Sequence, residues 1–197
     1  MSAAFTAAES GEGESVCATD PEEDGNGLVA LDIETTGLGP LDTITCVCVC
    51  AAEWERTWVC DIDVEAVCSV LNRASRICAF NGATFDIPFM QRAWRLSDTQ
   101  VALWMHKLID PLYSVRGLFG TGMCEKLQSV LLRNGLEGKS GSGADAVRLA
   151  QEGRWDELAK YCAQDTRQTL LLIQKSINGS IEWNDHLQLR KGWEWKT

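Results

Sequence analysis

The sequence predicts one α/β domain built on a mixed central sheet flanked by helices. Two observations carry that expectation. From Leu28 onward, short apolar runs of strand length alternate with segments whose apolar residues recur at helical spacing. The chain has 197 residues, enough for one domain with a real core and too few for two of usual size.

Residues 1–26 stand apart from this pattern. They are rich in Ala, Ser, Gly and Glu, and Phe5 is their only aromatic residue. Such a composition buries too little apolar surface to offset the entropy of ordering, so a disordered acidic tail is expected. It would serve as a solvated spacer or recruit a protein partner. The folded domain is expected over 27–179, with 180–197 as a C-terminal β-hairpin packed on it.

The first strand begins at Leu28, in Leu28-Val29-Ala30-Leu31-Asp32-Ile33-Glu34-Thr35-Thr36-Gly37-Leu38. After a turn over Gly37–Asp42, Ile44–Cys50 and Thr57–Cys60 read as the second and third strands. Cys46, Cys48 and Cys50 alternate with Thr45, Val47 and Val49, so cysteine serves there as a small hydrophobe on one strand face. The acids from Asp61 suit a helix N-terminus, and Val64, Val67, Cys68 and Leu71 continue it at helical spacing. Arg76–Phe80 reads as a short strand, and Asn81-Gly82 turns the chain into a helix carrying Phe85, Phe89, Met90 and Trp94. Lys107–Asp110 is a fifth strand, with Pro111 suited to the first turn of the next helix. Cys124–Arg133 reads as an amphipathic helix stopped by Asn134-Gly135.

Gly138-Lys139-Ser140-Gly141-Ser142-Gly143 is a polar glycine loop. It resembles the end of a phosphate-binding loop, but position 133, where that pattern needs its first glycine, is Arg133. The segment before it reads as helix, so a nucleotide-binding loop is rejected. Lys139 is kept as a candidate contact to a substrate phosphate. Ala144–Glu152 and Trp155–Ile177 then read as helices. In the last segment Ile181, Trp183, Trp193 and Trp195 alternate around a polar centre, the pattern of a hairpin or of an aromatic platform for bases.

Charge and cysteine usage bound the setting. The formal charge is −10, but residues 1–26 hold seven acids and no Lys or Arg, which leaves −3 for the rest. Two divalent ions would make the loaded domain slightly positive, so net charge excludes little. The nine cysteines form no C-x-x-C pair, and with two histidines they make a poor zinc set. They fit a reducing, intracellular compartment, cytoplasmic or nuclear. No apolar run approaches the roughly 20 residues of a membrane span, and no secretory leader is expected.

The chemistry starts at Asp32 and Glu34. Two residues apart on a strand, they project from the same face. Side by side they repel unless something cationic joins them, and a hard divalent ion such as Mg²⁺ or Mn²⁺ takes such oxygen ligands. Asn81-Gly-Ala-Thr-Phe-Asp86 sets a third acid just inside a helix. Tyr161-Cys-Ala-Gln-Asp165 sets a phenol and a fourth acid one helical turn apart on a face whose neighbours are apolar.

Taken together and in order, LDIETTG, NGATFD and YCAQD resemble the three motifs of the DEDD 3′→5′ exonucleases, the DnaQ-like group within the ribonuclease H-like fold. The resemblance runs from about Leu28 to Ile177. Its third motif is that of the tyrosine (DEDDy) subclass, because Tyr161 and Asp165 satisfy Y-x-x-x-D while the position five before Asp165 is Lys160. The subclass is similar to the proofreading domains of family-B DNA polymerases and their free-standing relatives. The resemblance implies a site of Asp32, Glu34, Asp86, Tyr161 and Asp165, with the four acids holding two divalent ions (Mg²⁺ or Mn²⁺). Asp32 would bridge both ions, Glu34 and Asp165 would complete one site, and Asp86 would act on the other. Tyr161 would orient the attacking water. Thr35, Leu38, Asn81 and Phe85 are the implied contacts to a single-stranded DNA or RNA 3′ end. Arg92, Arg95, Arg116 and Lys139 are candidates for its phosphates. Asp110 reads as a cap or supporting group. The implied activity is metal-dependent 3′→5′ exonuclease action, DNA favoured. A processing exoribonuclease and a non-catalytic nucleic-acid-binding or adaptor module are the alternatives.

Overall fold

The computed structural model of the protein describes residues 27–190. The acidic tail and the hairpin residues Trp193 and Trp195 lie outside it. Among the described residues, the expected mixed sheet has five strands: β1 (Leu28–Thr35), β2 (Ile44–Cys50), β3 (Glu55–Val59), β4 (Arg76–Cys78) and β5 (Leu108–Ile109). Their order is β3-β2-β1-β4-β5, with β1 antiparallel to β2 and parallel to β4. Strand β1 is therefore central. β3 starts two residues before its expected position because Cys50 and Val49 pair with Glu55 and Arg56, charged residues that carry little strand signal of their own.

Alternation along β1 divides the molecule. Val29, Leu31 and Ile33 join Val47 and Val49 on one face, packed against α1 (Val64–Arg73), α2 (Asp86–Trp94) and α3 (Asp98–Lys107). Ala30, Cys46, Cys48 and Cys50 belong to the other face, covered by α7 (Trp155–Asn178). Small side chains there let the long helix approach closely, and Leu158, Leu170 and Ile173 close the layer. The sheet is thus buried on both faces, which explains why β1 and β2 read as near-continuous apolar runs.

Helix α3 is absent from the sequence reading; Ser97, whose hydroxyl oxygen accepts the N–H of Gln100, caps it, and Trp104 is its fully buried anchor. Helix α4 (Pro111–Phe119) starts on Pro111, as expected, with Asp110 as its cap. The helix read over Cys124–Arg133 begins later, at Leu127: a 3-10 turn (Thr121–Met123) and a short link lead into α5 (Leu127–Arg133). After α6 (Gly143–Gln151) and α7, β6 (Ile181–Asn184) and β7 (Leu187–Leu189) form the hairpin. Its second arm falls on Leu187–Leu189, and Ile181, Trp183 and Leu189 pack with Leu127, Leu131 and Leu172. No helix among the described residues is long and apolar enough to cross a membrane.

Candidate active site

Asp32 lies opposite Cys48 and Glu34 opposite Cys46 in the β1–β2 ladder. Both acids therefore face α7, across a patch of small side chains. The chain leaves β1 through a turn organised by Asp42. That carboxylate accepts the N–H of Gly39 at 2.6 Å and the hydroxyl of Thr36 at 2.8 Å. A Cβ at Gly37 would stand 2.7 Å from Asp42 Oδ2, so a larger residue there would displace the carboxylate that organises the turn. Leu38 is held at the rim of the site, 81% exposed.

Asp86 is the first residue of α2, and its Oδ1 accepts the backbone N–H of Ile33 at 3.2 Å. The third acid is thereby tied to the residue between the first two. Helix α7 brings Tyr161 and Asp165, and Asp165 is wholly buried. Lys139, in the loop between α5 and α6, sets its Nζ 2.6 Å from Asp165 Oδ2 and 5.5 Å from the centre of the Tyr161 ring. Neither Asp165 oxygen nor Tyr161 Oη has a hydrogen-bond partner of normal geometry among the described residues.

A cavity of about 460 Å³ opens between these elements. Asp32, Glu34, Thr35 and Leu38 wall it from β1 and its turn, Phe85 and Asp86 from α2, and Tyr161 and Lys139 from the far side. Phe80, Ala144 and Val147 complete the wall and escaped the sequence reading. Phe80 had a signal, since it immediately precedes Asn81-Gly82 at a strand end. Asn81 is not brought into the wall. Its φ of +74° shapes the turn before α2, its N–H donates to Asp110, and its side-chain oxygen accepts the hydroxyl of Thr84 at 2.6 Å. Of the four basic candidates only Lys139 reaches the cavity wall. Arg92 donates to Gly39 O and lies over the Phe89 ring, Arg116 donates to Cys124 Sγ, and Arg95 ends α2 at φ +54°. Asp110 is fully engaged, accepting the N–H groups of Asn81, Ala83 and Tyr113.

The electrostatics are those of crowded acids. Burial, followed by the Asp32 charge, pushes Glu34 up to about 10. Burial also raises Asp32 to about 7, against the pull of Lys139 and with the push of Asp165. Asp86 is raised well above the carboxylate range by burial and by the charges of Asp32 and Asp110. Burial likewise raises the Tyr161 phenol. These groups cannot all ionise unless positive charge joins them. One oxygen of Asp32, one of Glu34 and Cys162 Sγ lie within 4.8 Å of one another. Hard oxygen donors in this density, with Asp165 held against Lys139 and Tyr161 beside it, fit divalent ions such as Mg²⁺ or Mn²⁺.

Known proteins supply the context. The family model described as the RNase H superfamily matches residues 29–177. Among solved structures, the family B DNA polymerase from the hyperthermophilic archaeon Pyrobaculum calidifontis is similar in fold, with a TM-score of 0.59 and 17% sequence identity. The likeness covers 75% of this chain and 24% of the polymerase chain. No curated protein matches the sequence.

Proposed function

The chain belongs to the RNase H superfamily, and from that premise we propose that it is a metal-dependent 3′→5′ exonuclease of the DEDDy type. It would release nucleoside monophosphates from single-stranded nucleic acid, DNA in preference to RNA. The observation that carries this reading is that Asp32, Glu34 and Asp86 wall one open cavity from β1 and the start of α2, with Asp165 of α7 behind the wall and joined to it through Lys139. The preference for DNA follows from the likeness of the motifs to polymerase proofreading domains.

In this mechanism the four acids would hold two divalent ions, which would supply charge stabilisation to the attacking water and to the departing 3′ oxygen. The protein's own groups do the rest. Tyr161, on the cavity wall beside Asp165 and Lys139, offers through its Oη a donor and an acceptor to fix the attacking water. A raised phenol pKa keeps it protonated, so it positions the water and does not deprotonate it. Phe85 offers a ring face to the terminal base, while exposed Leu38 wedges against it from the rim. Thr35, whose hydroxyl donates to Gly37 O at 2.8 Å, holds the turn that presents Leu38.

One observation favours a second reading, a nucleic-acid-binding module without chemistry. Lys139 already lies on Asp165 and supplies a cation to the acid cluster. Burial raises all four acids and one ammonium faces them, so ionising the cluster needs further positive charge, and the enzyme reading is preferred. The test uses matched 5′-labelled single-stranded DNA and RNA with Mg²⁺, Mn²⁺ or EDTA. A ladder shortening from the 3′ end, dependent on metal and lost in Asp32→Ala and Asp165→Ala, is expected, faster on DNA. Intact oligonucleotides with retained binding would establish the module instead.

A further inference from the structure

Lys139 has an arrangement that the exonuclease reading leaves unexplained. Its backbone is fixed on two sides: its N–H donates to the Gln128 side chain of α5, and the neighbouring Gly138 carbonyl accepts from Gln164 of α7 at 3.3 Å. A Cβ at Gly138 would stand 2.5 Å from Gln128 Nε2, so a larger residue there would push aside the side chain that holds the Lys139 N–H. The loop is thus clamped close to α7, and what remains free is the four-carbon arm of the lysine. That arm ends on the most buried of the four acids. The Asp165 side chain is 0% exposed and that of Lys139 26%, so the ammonium has an open way back into the cavity whereas the carboxylate has none.

An ammonium 2.6 Å from Asp165 Oδ2 occupies one of the two oxygens that acid has to offer an ion. Magnesium–oxygen bonds are about 2.0–2.1 Å long. A divalent ion and an ammonium on the same carboxylate oxygen would lie within a few ångströms and repel strongly in a buried site. Lysine is a point charge on a flexible stem and lacks the planar fork by which arginine locks a carboxylate. The pair therefore compensates Asp165 without fixing it permanently.

We propose that Lys139 is a displaceable counter-ion, seated on Asp165 in the metal-free protein and driven off into the cavity when a divalent ion arrives. The proposal rests on the metal-dependent reading of the site. The device has two consequences. It spares the empty site an uncompensated buried carboxylate, and it sets metal affinity below what the four acids alone would give. Only the side chain moves, because the loop backbone is clamped.

The test reads metal binding and not activity. Full-length protein stripped with EDTA is titrated with Mn²⁺, following free Mn²⁺ by electron paramagnetic resonance, for the natural chain and Lys139→Met. The variant is expected to bind about tenfold more tightly, a change of about 1.4 kcal/mol. Its melting temperature in EDTA is expected to fall below that of the natural chain, with the gap closing in saturating Mn²⁺. A second measurement needs no variant. Lysine acylation followed by mass spectrometry is expected to find Lys139 protected in EDTA and reactive in Mn²⁺, with exposed Lys126 and Lys160 unchanged as references. Equal Mn²⁺ affinity in both proteins, or equal Lys139 reactivity in both conditions, would overturn the counter-ion while leaving the metal site standing. If neither protein binds Mn²⁺, the metal reading and the counter-ion fall together.

Discussion

The carboxylate of Asp86 accepts the backbone N–H of Ile33 at 3.2 Å, so the start of α2 is tied to the residue between Asp32 and Glu34. One buried hydrogen bond thereby sets the spacing of three acids that lie 54 residues or fewer apart in sequence. Asp86→Asn keeps an oxygen for Ile33 but removes the charge. It should fold at least as stably as the natural chain in EDTA and lose cleavage by about a hundredfold or more. Asp86→Ala should lose cleavage equally, and be about 1–3 kcal/mol less stable than Asp86→Asn, because a buried N–H is left without an acceptor. Urea unfolding of the two variants side by side isolates that difference. Equal stability would mean that the bond does no structural work.

Tyr161→Phe separates catalysis from architecture. Its Oη meets only groups of the site, Asp165 and Lys139, and these keep each other as partners when it is removed, so nothing that holds the fold is broken. The melting temperature should stay the same or rise slightly, and Mn²⁺ affinity should not change. Cleavage should fall by roughly a hundredfold, the lower range for loss of a positioned proton-transfer group. A variant of unaltered rate would remove Tyr161 from the water-positioning role.

What could be seen in the sequence divides along a physical line. Asp32, Glu34 and the start of β1 are legible because strand periodicity is local, and Asp86 because a strand end, Asn-Gly and an acid occur within a few residues. Tyr161 and Asp165 are legible because one helical turn separates them. Features made by distant pairing are not. Lys139 stands in a recognisable loop, yet nothing local says that its ammonium reaches Asp165, 26 residues later. Asp42 looks like a turn residue and gives no sign that its carboxylate organises the turn carrying Leu38. The hairpin was foreseen from its aromatic alternation. Its second arm at Leu187–Leu189 was missed because that stretch is short and interrupted by Gln188.

Asn134 is a third such feature and gives a stability prediction. Its Nδ2 donates to Val130 O and Glu182 O, each at 2.8 Å, and its Oδ1 accepts the N–H of Glu182 at 2.9 Å. The amide thus imitates a strand neighbour for β6 and fastens the hairpin to the end of α5. Asn134→Ala removes two part-buried hydrogen bonds to the backbone of Glu182 and should cost about 1–3 kcal/mol, at roughly 0.5–1.5 kcal/mol for each bond lost. Hydrogen exchange should accelerate most at Glu182 and its β7 partner Gln188. Protection unchanged at both positions would show that the hairpin holds by apolar packing alone.

The acid cluster makes stability depend on pH in a direction opposite to that of salt-bridged carboxylates. Asp32 rises from its ordinary 3.8 to about 7 and Glu34 from 4.5 to about 10, in each case chiefly through burial. Between the ordinary and the raised value, the folded protein holds a proton that the unfolded chain has released. The corresponding stability is fully present below about pH 4 and is lost as pH climbs through about 7 and on toward 10. In EDTA, then, the melting temperature should fall between pH 5 and pH 9, and the fall should be blunted in the Asp32→Asn, Glu34→Gln double variant. Metal binding has the reverse dependence, because carboxylates bind ions as anions and must first release their protons. Apparent Mn²⁺ affinity should therefore climb across the same window, with protons released on binding and detectable as a buffer-dependent heat in calorimetry. A metal-free melting temperature that rises with pH, or Mn²⁺ binding with no proton release, would mean that these acids are already ionised in the folded protein, with compensation from groups other than an incoming ion.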